Sequence, residues 1–417
     1  MEVKPGYKQT EVGVIPDDWA VKQLADISDR IMVGIASAAT HAYREKGIPL
    51  LRNQNIRSGY LDVHDVLYVD PAYELAFQNK RLRAGDLLTA RTGYPGTTCV
   101  VPDAYDSAQS FTTLITRPRA SVIHSGYLCH FISSEYGQRF FGQTQIGGAQ
   151  KNVNAGTLRQ MLIPVPPLLE QRAIAAALSD VDALLAKLDQ LIVKKRDLKH
   201  AAMQQLLTGQ TRLPGFSGAW RSLQLGELIA HCSSGATPYR GHPEYYDGTV
   251  KWITSGELNY NVITDTIEHI SVDAVEKTNL KLHPAGTFLM AITGLEAAGT
   301  RGACGIIGSP STTNQSCMAI YPTPELKTEF LYYYYVFRGD ELALKYCQGT
   351  KQQSYTAKLV RLLPIDLPPT TQEQTAIATV LSDMDADIAA LENRRDKTRD
   401  LKQGMMQELL TGRIRII

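Results

Sequence analysis

Membrane, export and metal-binding features are scarce in these 417 residues. No apolar run approaches the ~18 residues that a bilayer-spanning helix requires. The longest, Phe330 to Phe337, has eight residues, and four are tyrosine. The opening Met1-Glu2-Val3-Lys4-Pro5 lacks the apolar stretch of a secretory signal, so a cytoplasmic location is expected. Six cysteines (Cys99, Cys129, Cys232, Cys304, Cys317, Cys347) are scattered, and none forms a Cys-x-x-Cys pair. That excludes the common zinc and redox motifs and predicts free thiols in a reducing compartment. His231-Cys232 stands without further ligands nearby.

An excess of one charge is also missing. There are 43 basic and 42 acidic residues, a net charge of +1. A protein that grips nucleic acid alone normally shows a basic excess, because phosphate neutralisation drives its binding. Motifs of chemistry are missing too. No Gly-Lys pair occurs, so there is no phosphate-binding loop. Val165-Pro166-Pro167-Leu168 and Leu367-Pro368-Pro369-Thr370 fail at the outer positions of an amino-methylase tetrapeptide. Arg301-Gly302-Ala303-Cys304-Gly305 reads as a turn. Asp197-Leu198-Lys199 and Asp400-Leu401-Lys402 have a nuclease-like look, but they lie in helix-forming stretches and read as solvated helix faces.

What the chain does contain is a long repeat. Aligned without gaps, Glu170 to Arg212 and Glu373 to Arg415 agree at 24 of 43 positions. Each copy follows a Pro-Pro stop, runs about 39 residues without proline, and ends at Thr208-Gly209 or Thr411-Gly412. In the first copy Ile174, Leu178, Val181, Leu185, Leu188 and Ile192 alternate steps of four and three, a heptad-like seam. Leu184, Leu191 and Leu198 add a second row. The second copy keeps Ile377, Leu381, Met384, Ile388 and Leu391, then places Arg394 and Arg395 where the first has Leu191 and Ile192. Two such helices need a partner for the apolar stripe, and each other is the nearest. Antiparallel pairing needs no long return path, so a pseudo-two-fold molecule with two heads on a two-helix spacer is expected.

The segments before each helix agree only weakly. Short apolar stretches punctuated by Gly, Pro, Asn and Asp predict strands, as at Gly47 to Leu51 and Gly85 to Thr89; Tyr127 to Phe141 reads as a helix. Trp19, Leu24 and Thr92-Gly93 have counterparts in Trp220, Leu225 and Thr293-Gly294. The pattern predicts an α+β chain: head one at 1–165, helix one at 166–212, head two at 213–367 and helix two at 368–417. A rigid spacer with two unlike heads acts as a ruler, and DNA half-sites have fixed spacing.

Here the residues carry a family resemblance. Gly6-Tyr7-Lys8-Gln9-Thr10-Glu11 through Trp19 resembles the opening of specificity (S) subunits of type I restriction-modification systems. So do Ile163 to Gln171, Ile365 to Gln374, and Lys251-Trp252-Ile253-Thr254-Ser255-Gly256-Glu257-Leu258. The resemblance implies two target-recognition domains, each reading half of a bipartite DNA site, and conserved helices that set the gap and dock two methyltransferase (M) subunits. It implies adenine methylation with S-adenosylmethionine by those partners, and ATP and Mg²⁺ where motor-nuclease (R) subunits join. The chain itself would use no cofactor or metal and catalyse nothing, and the resemblance implies a role in defence against foreign DNA.

Sequence readout needs Arg for guanine and Asn or Gln for adenine on loops. Arg52, Asn53, Gln54 and Asn55 form the densest such cluster, with Thr254, Ser255 and Glu257 in its place in head two. Arg91, Thr92 and Tyr94 correspond to Thr293 and its neighbours; Gln150, Lys151 and Asn152 correspond to Lys351, Gln352, Gln353 and Ser354. All are candidate DNA contacts, and all could equally be polar turns or connections. Tyr332 to Tyr335 reads as core packing. Two other functions stay open on the sequence: a self-sufficient repressor-like DNA binder, which the near-zero charge disfavours, and a coiled-coil scaffold.

Overall fold

The computed structural model describes residues 4–144, 152–295, 300–349 and 353–416, without the side chain of Thr144. It divides into two units, Met1–Gln190 with Glu392–Ile417, and Leu191–Leu391. Each unit therefore joins one head to part of both long helices. The helices are Leu168–Leu206 and Thr371–Leu409. Each begins two residues earlier than the repeat itself, close behind its Pro-Pro stop. Gly209 and Gly412 take φ of +69° and +70° just past the ends, a conformation that glycine adopts without a Cβ penalty.

In the first unit a four-stranded antiparallel sheet has the order Thr98–Val100, Leu87–Thr89, Leu114–Pro118, Ser28–Val33. A second sheet has the order Gln109–Phe111, Ile48–Arg52, Leu67–Val69, Tyr43–Arg44, and its first pair is parallel. The second unit repeats this topology. Its main sheet runs Cys304–Ile307, Phe288–Ala291, Cys317–Pro322, Ile229–Ser234, with Asn261–Ile263 added beside Cys304–Ile307. Its smaller sheet pairs Thr312–Thr313 in parallel with Val250–Ile253, which pairs antiparallel with His269–Ile270. The weak agreement of the two heads is thus one fold with different side chains.

The region read as one helix from Tyr127 to Phe141 is two, Ser125–Ser133 and Glu135–Thr144. Ser134 breaks it with ψ of 168°. Head two keeps one helix, Thr328–Tyr346. There the four tyrosines are core, as their spacing implied: Tyr332 to Tyr335 are at most 8% exposed. Their hydroxyls stay satisfied where they reach acceptors, as Tyr332 does on the Tyr260 carbonyl (2.6 Å) and Tyr334 on the Pro364 carbonyl (3.3 Å).

The helices pack antiparallel within each unit. In the first, Glu170 meets Arg415, Asp182 meets Lys402 and Asp189 meets Arg395, at 2.5, 2.5 and 3.8 Å. In the second, Glu373 meets Arg212, Asp385 meets Lys199 and Asp387 meets Lys195, at 2.5, 2.5 and 2.9 Å. The first two pairs of each set match across the repeat; the third does not, because Arg394 and Arg395 interrupt the second copy. Arg395 is kept in the seam by Asp189 and Asp396. Lys199 and Lys402 are therefore cross-helix partners and not the solvated residues their Asp-x-Lys setting suggested. The seam residues Ile174, Leu178, Leu188 and Ile192 are buried, whereas Leu184, Leu191 and Leu198 are 38–49% exposed. The second row is therefore not part of the seam.

Beside the Asp182–Lys402 pair lies His130, 7% exposed, with Nε2 3.3 Å from the Ser179 hydroxyl. Its counterpart in head two is Tyr333, which donates to Asp385 (3.0 Å). Burial, then the Lys402 charge, push the His130 pKa down to about 4, against the pull of Asp182. A neutral native imidazole favours the fold fully above the unfolded pKa of ~6.5, and this contribution falls as pH drops toward 4. His130→Tyr is expected to remove up to about 3 kcal/mol of acid sensitivity across that window. Melting temperatures measured from pH 4 to 7 check it; an unchanged pH slope would refute the assignment.

Candidate nucleic-acid interface

The strand Ile48–Arg52 ends in a tight turn over Asn53–Asn55. The turn is closed by Asn55, whose Oδ1 accepts from the Arg52 N–H (2.9 Å) and whose Nδ2 donates to the carbonyls of Asp62 and Asp65 (3.0 and 2.9 Å). Asn55 is 2% exposed, so its amide is spent on the loop and presents no edge to a base. Glu257 does the same in head two: one oxygen accepts from the Thr254 N–H and hydroxyl (both 2.8 Å), the other from the Ile267 N–H (2.9 Å). The amide-to-acid change between heads at this position is explained by turn closure. The fold thus accounts for Asn55 without a base contact, whereas Glu257 closes its turn and remains half-buried on the edge of a groove.

Three sequence clusters of head one converge. Asn53 Nδ2 donates to the Thr92 hydroxyl (3.2 Å), and its Oδ1 accepts from the Arg91 N–H (2.9 Å). Arg91 Nε in turn donates to Asn152 Oδ1 (2.8 Å). The groove beside this network has a volume of about 590 Å³ and is lined by Arg52, Asn53, Gln54, Thr92 and Tyr94 among others. Asn53 is a staple within it. Tyr94, 84% exposed, follows Gly93 at φ +77°. Gln150, Lys151, Lys351 and Gln352 lie outside the described residues.

The groove also takes in Arg57, Ser58, Thr97 and Thr112, which the sequence reading missed. Arg57 was within reach as a basic residue five positions past Arg52; Thr112 comes from a distant strand end and had no local signal. Arg57 pairs with Asp62 at 3.1 Å. Hydrogen bonds from His64, and then Arg57, hold the Asp62 carboxyl below its ordinary range.

In head two, Thr293 bridges to Ser354, and the Leu295 N–H meets the Gln353 carbonyl (3.3 Å). The equivalent stitch in head one joins the Val153 N–H to the Arg91 carbonyl. Thr254 and Ser255 are half-buried at the turn. Next to it, a shallow groove of about 380 Å³ is lined by Glu257, Asn259, Asn261, Thr264, Asp265 and Ile267 among others. Only Glu257 of these was anticipated.

Among the described residues no group of three or more His, Cys, Asp or Glu could hold a metal ion, and no helix is long and apolar enough to cross a membrane. Both grooves offer polar and charged side chains on loops, a surface suited to reading hydrogen-bond patterns.

Comparison with known proteins agrees. The chain is 24% identical to the MjaX type I restriction enzyme specificity subunit of Methanocaldococcus jannaschii, over 98% of this chain and 97% of that one. It is 25% identical to the EcoKI specificity subunit of Escherichia coli over 42% of this chain and 38% of that one. The S subunit of a type I restriction-modification system from M. genitalium has a similar fold, with a TM-score of 0.62 at 12% identity over 98% of both chains. A chain from a structure of a type I R-M system undergoing assembly and conformational transition gives 0.59 at 18% identity, over 96% of this chain and 99% of that one. The profile of the type I restriction modification DNA specificity domain matches twice, at residues 16–194 and 218–398, so the chain belongs to the specificity subunits of type I restriction-modification systems, the non-catalytic subunits that recognise DNA.

Proposed function

We propose that each head reads one half of an asymmetric, split DNA site, while the paired helices hold two methyltransferase subunits at fixed spacing. The observation that carries this reading is a contrast. The helix clasps Glu170–Arg415 and Asp182–Lys402 recur as Glu373–Arg212 and Asp385–Lys199. Identical clasps suit identical partners. The groove side chains do not recur, which suits different half-sites. With a net charge of +1, the chain draws on its partners for much of the phosphate attraction, so the stand-alone repressor-like reading is not favoured.

The partners would methylate adenine at N6 with S-adenosylmethionine, and R subunits would add ATP- and Mg²⁺-dependent cleavage. Sequencing of modified bases in a host with and without this chain tests the whole reading. A split motif methylated at adenine in both halves is expected, and it should vanish on deletion. Persistence of every motif would sink it. Arg52→Ala is expected to relax discrimination at one position of one half-site, at a cost of about 1–3 kcal/mol, and to leave the other half intact. Methylation rates on single-substituted duplexes measure this.

A further inference from the structure

We infer that Asp65 acts as the positioning residue for Arg52 and Gln54 and so determines specificity in head one, while head two presents Ile267 from the matching peptide unit instead. The inference rests on the proposal that the heads read DNA. The residue that closes each turn grips one peptide unit, Asp65–Val66 in head one and Thr266–Ile267 in head two, so Thr266 corresponds to Asp65 and Ile267 to Val66. Asn55 Nδ2 donates to the Asp65 carbonyl (2.9 Å), and Glu257 accepts from the Ile267 N–H (2.9 Å).

In head one a single oxygen, Asp65 Oδ2, accepts from both Arg52 Nη2 (2.8 Å) and Gln54 Nε2 (2.7 Å). Arg52 Nη2 also donates to the Asp65 carbonyl (2.9 Å). The Asp65 side chain is 70% exposed. An ion pair so exposed adds little to stability. A carboxylate beside a DNA-facing groove also opposes phosphate. Neither consequence accounts for its presence, whereas positioning does. Free arginine and glutamine side chains are flexible and would bond whichever phosphate they met. Tied to one acceptor, they form a fixed pattern that suits guanine and adenine edges.

At the matching turn positions head two has no cation or amide for an acid to hold. Thr254 stands in the place of Arg52 and Gly256 in the place of Gln54; Thr266, in the place of Asp65, is 8% exposed, and the next residue, Ile267, is 86% exposed. An apolar side chain projecting there suits the methyl group of thymine. The matching peptide unit thus carries a polar-pair holder on its first residue in one head and an apolar contact on its second residue in the other.

The test uses the full chain assembled with its methyltransferase subunits and a duplex library randomised in both half-sites. Asp65→Ala is expected to lower first-half discrimination tenfold or more, to tighten non-specific binding with steeper salt dependence, and to leave second-half discrimination unchanged. Asp65→Asn, which keeps the shape, should behave alike, and Asp65→Glu should restore most of the loss. Ile267→Ser should affect the second half alone. If Asp65→Ala melts like the parent and discriminates like it, the inference is wrong; an equal loss in both halves is equally fatal. A parent complex with no split-site preference would overturn the function itself, and this inference with it.

Discussion

Arg415→Ala is expected to destabilise the first unit by about 3–5 kcal/mol. Arg415 is the fork that neutralises Glu170, which is 5% exposed and also accepts from Trp19 Nε1 (3.1 Å). Two parallel bonds, Nε to Oε1 at 2.5 Å and Nη2 to Oε2 at 2.8 Å, hold the carboxylate. A second fork reaches Asp18 at 2.9 Å through both Nη atoms, and it holds that carboxyl below its ordinary range. One side chain thus ties the end of the chain to the opening of head one and to the start of the first helix. Without it, a buried carboxylate keeps its charge and loses its partner, which costs far more than an exposed pair contributes.

Arg212→Ala should act in the same way on the second unit, where Glu373 is 1% exposed. The two sites are not identical: Trp220 Nε1 is buried and has no hydrogen-bond partner, whereas Trp19 donates to Glu170. Thermal unfolding reads both variants. A pair of apolar substitutions, Glu170→Leu with Arg415→Met, should recover most of the loss, since buried ion pairs exchange for apolar groups at little cost. If Arg415→Ala melts within a degree of the parent, the buried clasp is not what holds head to helix.

Gly34→Ala and Gly235→Ala are expected to be nearly as damaging, each to one head. A Cβ at Gly34 would lie 2.3 Å from the Ser110 carbonyl oxygen, and one at Gly235 would lie 1.8 Å from that of Thr313. Backbone cannot rotate aside as a side-chain tip can. The strands must part, and the bonds from the Ile35 N–H to Ser110 (2.7 Å) and from the Ala236 N–H to Thr313 (3.1 Å) go with them. Overpacking and lost hydrogen bonds together imply a penalty of about 3 kcal/mol or more. Both glycines seat the strand that runs parallel to the one ending in the candidate recognition turn. Gly34→Ala should therefore abolish reading of one half-site and Gly235→Ala the other, as scored by methylation of half-substituted duplexes. Gly404→Ala, in the helix Thr371–Leu409 with open space around it, is the matched control and should cost nothing. Normal recognition by Gly34→Ala would show that the strand contact is dispensable.

The sequence by itself determined the helices, their antiparallel sense and the duplicated order of parts. Each of those follows from local or repeated signals: the 3.6-residue apolar period, the Pro-Pro and Gly stops, and the agreement of Glu170 to Arg212 with Glu373 to Arg415. Even there it overcounted, since Leu184, Leu191 and Leu198 share the spacing of a seam without being buried in it. Periodicity states which residues share a face, not which face finds a partner. The candidate recognition grooves were only half legible. Arg52, Gln54 and Tyr94 are on the groove, but Asn55 is a turn closure, Glu257 both closes its turn and lines a groove, and Thr112 and Ile267 enter from elsewhere in the chain. Polar residues on loops serve backbone hydrogen bonds as readily as ligands, and composition cannot separate the two uses. Only tertiary structure decides, because it alone says which donors and acceptors the fold has already consumed and which remain for DNA.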